Sequence, residues 1–208
     1  MFGKVITGIL VFGLATSAHA GLINLVQNGE FSDTAINPAK WNPTEVAHWD
    51  SSEGEIEIWN ESFQWGTDLG SDGLATGQHA EITWKTDKSE IWTTFVIPEW
   101  FAAGSTAHFS FDYQNRKSSG ILASVNVNGK AATPFSVSSD GSWQRMSTGI
   151  DGLVSGDNVQ LLFRSQGGGS SGAHIDQVEF NVAVPVPGTV ALLGLGLAGL
   201  GFSRRKTA

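Results

Sequence analysis

The sequence predicts an all-β domain, a two-sheet antiparallel β-sandwich of jelly-roll type, set between an N-terminal signal peptide and a C-terminal uncharged run with a basic tail. Three observations carry this. Apolar residues alternate with polar ones at period two in segment after segment, as half-buried strands require. Turn signals separate those segments at Asp72-Gly73, Ser119-Gly120, Asn128-Gly129, Asp140-Gly141, Asp151-Gly152 and Ser155-Gly156-Asp157. No stretch of the exported region holds a long apolar stripe of helical period, so helices are expected to be short or absent. Short strands with this punctuation favour packed antiparallel sheets over a parallel α/β fold.

Residues 1–20 read as a signal peptide. Lys4 supplies the positive start, Val5 to Ala15 the apolar stretch, and Ala18-His19-Ala20 the small-x-small site for signal peptidase, so the mature chain begins at Gly21. The apolar stretch is 11 residues, too short as a helix for roughly 30 Å of hydrocarbon at about 1.5 Å per residue.

The sandwich is predicted over residues 21–183. Ile56 and Ile58 alternate with Glu55, Glu57 and Trp59. In the segment from His79 to Lys85, Ala80, Ile82 and Trp84 share one face. Phe109, Phe111 and Tyr113 alternate with Ser110, Asp112 and Gln114, and Val125 and Val127 with Asn126 and Asn128. The same pattern returns in Val159, Leu161 and Phe163 and in Val178, Phe180 and Val182. Trp84 and Trp143 are assigned to the core. Gly167-Gly168-Gly169 reads as a loop and not a phosphate cradle, because no strand-to-helix context follows.

Residues 184–208 close the chain. Val184-Pro185-Val186-Pro187-Gly188 precedes an uncharged run to Phe202, then Ser203-Arg204-Arg205-Lys206. Val186 to Phe202 is 17 residues, roughly 25 Å as a helix and a minimal membrane span. The basic tail favours a cytoplasmic terminus. Gly194, Gly196, Gly199 and Gly201 keep the run weakly hydrophobic, which suits a transient anchor.

Composition excludes several function classes. The chain has 208 residues, with 12 basic against 20 acidic side chains and no cysteine. Without the two ends, 8 basic residues face all 20 acidic ones, a net charge of −12. Nucleic-acid binding is not expected, because phosphate affinity comes from clustered Lys and Arg. The absence of cysteine removes disulfides, thiolate catalysis and Cys-ligated zinc.

The C-terminal order of a short proline motif, a Gly/Leu/Ala-rich stretch and a basic tail resembles the PEP-CTERM sorting signal of Gram-negative bacteria. Its residues here are Pro185, Pro187, Arg204 and Arg205, with Val186 where the motif usually has glutamate. The resemblance implies export, transient inner-membrane anchoring, processing by an exosortase, and residence at the cell surface or in the extracellular polysaccharide matrix.

A second resemblance spans nearly the whole exported region. Leu25 to Phe31, Gly54 to Trp59, Gly77 to Trp84, Phe109 to Arg116, Val125 to Gly129, Trp143 and Ile175 to Val178 resemble galactose-binding-like jelly-roll modules, which include many carbohydrate-binding domains. In such modules an Asn-Gly-x-Phe-Glu start and a late Asp commonly form a structural calcium site. Ser32 stands at the Glu position here, so the resemblance implies calcium at Glu30, Asp33 and Asp176.

Sugar rings present apolar C–H faces and many hydroxyls, so exposed aromatic platforms flanked by carboxylates, amides and Arg hold them. Strand parity puts Trp59 and Glu57 off the core side. Trp92 likewise opposes Ile91, Thr93, Phe95 and Ile97. Asp112 and Arg116 oppose the phenylalanine face, and Asn126 opposes Val125 and Val127. A concave sheet carrying these six residues is the candidate glycan surface. His48, His79, His108 and His174 are dispersed in sequence, and neither a helical His pair nor a Gly-x-Ser-x-Gly elbow is present. The expected function is noncatalytic polysaccharide binding. A structural matrix or adhesion protein that binds other proteins is the competing reading. A small exported glycan hydrolase, whose paired carboxylates meet only in three dimensions, is the third.

Overall fold

The structure is a computed structural model, and it describes residues 21–33, 42–60, 77–82, 89–115, 119–131, 134–138, 141–167, 172–185 and 196–197. Residues Gly21–Pro185 form one compact unit. Met1–Ala20 and Val186–Ala208 form a second unit, of which Gly196 and Leu197 are described, in helical conformation. No helix among the described residues is long and apolar enough to cross a membrane. The predicted signal peptide, with Ala20, and all of the uncharged run but Gly196 and Leu197 lie outside the described residues, as do Pro187, Arg204, Arg205, Asp72-Gly73, Trp84 and Arg116.

The unit Gly21–Pro185 is all-β, as the alternation requires. Its strands are β1 (Leu22–Asn24), β2 (Asn42–Thr44), β3 (Asp50–Ser51), β4 (Ile56–Asn60), β5 (Gln78–Glu81) and β6 (Glu90–Val96). They continue with β7 (Ala107–Asn115), β8 (Gly120–Val127), β9 (Phe135–Val137), β10 (Gln144–Ile150), β11 (Asn158–Gln166) and β12 (Ala173–Ala183). Seven strands form one sheet in the order β10-β7-β12-β5-β4-β2, with β1 beside β12, and five form the other in the order β3-β6-β11-β8-β9. Every pairing is antiparallel.

The core between the sheets consists of the apolar residues of each alternation. Ile56, Ile58, Ala80, Phe109, Phe111, Ile175 and Phe180 come from the larger sheet, and Ile91, Val125, Leu161 and Phe163 from the smaller, all essentially inaccessible. Phe111 and Phe163 meet across the core edge-to-face at 5.0 Å. Burying a large apolar side chain contributes about 1.5–3 kcal/mol.

The turn at Asn28–Phe31 closes one part of this core. A Cβ on Gly29 would lie 2.1 Å from the carbonyl oxygen of Val178, so only glycine allows the backbones to approach and the Val178 N–H to donate to Gly29 O at 3.0 Å. Phe31, held at φ 53°, is buried and stacks on Trp49 at 4.9 Å. The Trp49 indole N–H donates to Asn28 O at 3.1 Å. In β12 the register shifts between Asp176 and Glu179, with Gln177 at φ 47°. That bulge moves the core positions from Ala173 and Ile175 to Val178, Phe180 and Val182.

Candidate functional site

The off-core face of the seven-stranded sheet gathers chemistry from five strands. In register, Glu57 of β4 pairs with Glu81 of β5, Glu81 with His174 of β12, and His174 with Gln114 of β7. The residue before β10, Trp143, extends this row. A second row carries Trp59 opposite His79 and Asp176 opposite Asp112, with Arg145 opposite Asp112 on the far side.

The aromatic rings of this face are clustered. His79 and His174 lie 4.6 Å apart between centroids. Trp59 is 5.5 Å from His174 on one side, and Trp143 packs edge-on against His79 at 5.4 Å on the other. Glu81 is almost fully buried, and its carboxylate accepts the Trp59 indole N–H at 2.9 Å and the Gly172 N–H at 2.6 Å. Charge-assisted bonds of this kind are stronger than neutral ones. His174 Nε2 lies 3.6 Å from Glu81 Oε2, beyond hydrogen-bond reach.

Several polar atoms of this face have unmet bonding capacity. Both ring nitrogens of His174, Oε1 of Gln114 and Nε1 of Trp143 are buried without a hydrogen-bond partner. Buried polar groups are normally satisfied, so a set of exceptions in adjacent register positions calls for a reason. Gln114 uses its Nε2, which donates to Gly141 O at 2.8 Å. Exposure rises toward β10. There Arg145, with its side chain 43% exposed, donates to Asp112 at 3.0 Å, to Glu179 at 2.7 Å and to Ser110 Oγ at 2.9 Å.

Three expectations change against this geometry. The six candidate glycan residues do not share one surface. Glu57, Trp59 and Asp112 lie on the seven-stranded sheet. Trp92 and Asn126 lie on the off-core face of the five-stranded sheet, where Trp92 pairs with Asp50 and Leu162 and Asn126 donates to Gln160 at 2.9 Å. Arg116 is outside the described residues. Trp59 does oppose Ile56 and Ile58, but at 9% exposure it is no open platform, because its indole is tied to Glu81. Trp143, expected in the core, instead packs on the outer His79–His174 pair and is part-exposed.

The site also contains residues that sequence reasoning missed. His79 and His174, dispersed in the chain, are side by side, because β12 inserts next to β5. Arg145 supplies a guanidinium beside Asp112. The alternation of β10 against β7 was the available signal, and only the pairing register reveals it.

Glu30 and Asp33 are exposed, whereas Asp176 is buried on the sheet face. Among the described residues no three His, Asp or Glu side chains are grouped so as to hold a metal. A separate groove of 550 Å³ opens beside β3, lined by Glu45, His48, Asp50, Gly54 and Glu55 among others, with no Lys or Arg and none of the site residues.

Residues 183–206 match the PEP-CTERM protein-sorting motif. That motif indicates export to the cell envelope or surface of a Gram-negative bacterium. No curated protein sequence matches the chain significantly. Among solved structures, the chain is similar to the enzymatically active domain of tailspike protein 4 of bacteriophage CBA120, with a TM-score of 0.50 and 13% identity over 77% of this chain and 21% of that one. It thus spans about a fifth of the length of that protein. It is also similar to the CBM22-1 xylan-binding domain of Paenibacillus barcinonensis Xyn10C, with a TM-score of 0.48 and 13% identity over 82% of this chain and 100% of that one. A third similar structure is TmCBM61 in complex with β-1,4-galactotriose, with a TM-score of 0.47 and 11% identity over 76% and 97% of the two chains. At these identities the likeness concerns the fold alone.

Proposed function

We propose that the chain is an exported, noncatalytic carbohydrate-binding protein of the cell envelope or extracellular polysaccharide matrix. Its ligand lies on the β10 side of the seven-stranded sheet. One observation carries this reading: the part-exposed Trp143 ring packs on the His79–His174 pair at the edge of the buried polar row, on the side where Arg145 and Asp112 form their ion pair. A sugar hydroxyl is both donor and acceptor, so it can bond the carboxylate and guanidinium groups at this edge. The part-exposed Trp143 ring supplies the apolar surface for a pyranose C–H face. Asp112 and Arg145, already held rigid by their ion pair, add the charged rim. In this reading Trp59 and Glu81 are the support behind the contact surface. Signal peptidase and an exosortase act on the chain during export, with the C-terminal segment as a transient membrane anchor.

Affinity electrophoresis in gels containing soluble polysaccharides tests the assignment. A retained wild-type protein should lose retention in Trp143→Ala and in His174→Ala, while Trp92→Ala on the opposite sheet keeps it. Removing an anchoring aromatic costs about 1–3 kcal/mol of binding, or roughly 5- to 150-fold in affinity. Wild-type retention in both folded variants would overturn the site. Failure of the wild type to bind any polysaccharide would overturn the function. A structural calcium ion belongs to the same resemblance, with backbone carbonyls completing a ligand set from Glu30, Asp33 and Asp176. Melting with excess calcium against melting with chelator tests it.

A further inference from the structure

The exported unit leaves five large apolar side chains exposed among its described residues: Leu22, Ile23, Val96, Trp100 and Val154. Scattered exposed apolar residues are ordinary. These five are not scattered, because the strand register places them all at one end of the sandwich. Leu22 and Ile23 pair with Ala183 and Val182, the last residues of β12. β7 starts at the same end, with Ala107 opposite Ile150 and His108 opposite Asn181. Trp100 sits in the loop that enters β7, and Val154 in the loop that leaves β10. Ile97 N donates to Asp157 O and Gly156 N to Ile97 O, both at 2.9 Å, and Thr106 Oγ1 donates to Asp151 at 2.6 Å, so the two loops form one surface. Val96 closes β6 opposite Asn158, the first residue of β11.

The chain also enters and leaves the unit at this end. Val184 N donates to Gly21 O at 2.8 Å, and the sorting motif begins at Ala183. From Ala183 to Val186, where the uncharged run starts, is about 10 Å of extended chain. The chain therefore leaves the unit from this end on its way to the uncharged run.

We propose that this end is a bilayer-contact surface that rests on the membrane while the C-terminal segment is inserted. Trp100 lies in the headgroup layer, and Val96, Val154, Leu22 and Ile23 meet the lipid boundary. The proposal rests on the anchoring role of the C-terminal segment. Indole is the side chain best suited to the membrane interface, since it is apolar in body and carries one donor. The surface carries Glu99 and Asp151 against Lys130, with no basic cluster. Its partner is therefore a zwitterionic phospholipid surface, and anionic lipid weakens the contact.

The chain lacks cysteine, which makes site-specific labelling direct. Mature full-length protein reconstituted into phosphatidylcholine vesicles would carry an environment-sensitive fluorophore at Val154→Cys or Ala103→Cys, or at Gln166→Cys at the opposite end. The expected result is a blue-shifted emission at the first two positions, with most of it lost to a lipid-borne quencher, and a solvent-like, unquenched emission at the third. The double variant Trp100→Asp/Val154→Asp, labelled at Ala103→Cys, should lose the quenching yet still float with the vesicles. Equal, solvent-like emission at all three positions in a chain that floats would overturn the contact surface. A chain that does not float would overturn the anchor, and the proposal with it, so flotation tells the two failures apart.

Discussion

The off-core faces of the two sheets obey the same two-residue alternation and reach opposite physical states. On the five-stranded sheet, Trp92, Gln160 and Leu162 are half-buried, and Thr94 and Arg164 are exposed, the ordinary condition of a solvated sheet surface. On the seven-stranded sheet, Glu57, Trp59, His79, Glu81, Asp112, Gln114, His174 and Asp176 are all buried. Burying so many polar side chains costs free energy unless each finds a partner. The larger sheet therefore carries a polar network where packing alone would place apolar residues or solvent. A period of two assigns a side chain to a face; whether that face is wet depends on which strands meet there.

The contrast can be broken by paired substitutions. Trp59→Ala removes a buried ring and orphans one carboxylate bond, so it should destabilise by about 3–5 kcal/mol. Trp92→Ala, on the wetter face, should cost within about 1 kcal/mol in the same denaturant titration. Equal midpoints for the two variants would erase the distinction between the faces. Next in size is Glu81→Ala, which leaves the Trp59 and Gly172 donors without an acceptor and should cost about 1–3 kcal/mol for each. Its counterpart Glu90→Ala breaks the surface ion pair with Arg164, worth about 0–1 kcal/mol. Thermal melts of the pair would sharpen the comparison, and a larger loss in Glu90→Ala would reverse it.

The smallest effect lies at the loop end. The Val154 N–H and the Asn128 amide donate to Asp157 and hold its carboxyl below the ordinary value of 3.8. A depressed pKa stabilises the fold at pH above that ordinary value, and the contribution is lost as pH falls through the lowered one. Asp157→Asn should therefore melt slightly below wild type at neutral pH, and the gap should close in acid. A gap that persists or widens under acid would remove the charge as its cause.

The fold and core were largely legible in the sequence. Ile56, Ile58, Phe109, Phe111, Val159, Leu161, Phe163, Val178 and Phe180 all occupy the face that alternation gives them. Alternation is a local signal, and a hydrophobic core satisfies it locally. The site was legible only in part. Trp59 and Trp92 have equivalent parity, and nothing near either one states which sheet its strand joins. That depends on pairings between distant segments, such as β12 entering between β7 and β5. The same pairings join His79 to His174 and Asp112 to Arg145, which sequence spacing leaves far apart.

β12 is the last strand of the unit and sits in the middle of the larger sheet, with β7 on one side and β5 and β1 on the other. Its placement sets the order of assembly. Without β12, the pairs β4 with β5 and β7 with β10 are two ribbons with a gap between them. β1 waits without a partner until Ala183 arrives. Closure depends on contacts between the two extremes of the sequence, and such contacts form slowly. The larger sheet thus closes only once the final strand of the unit is available.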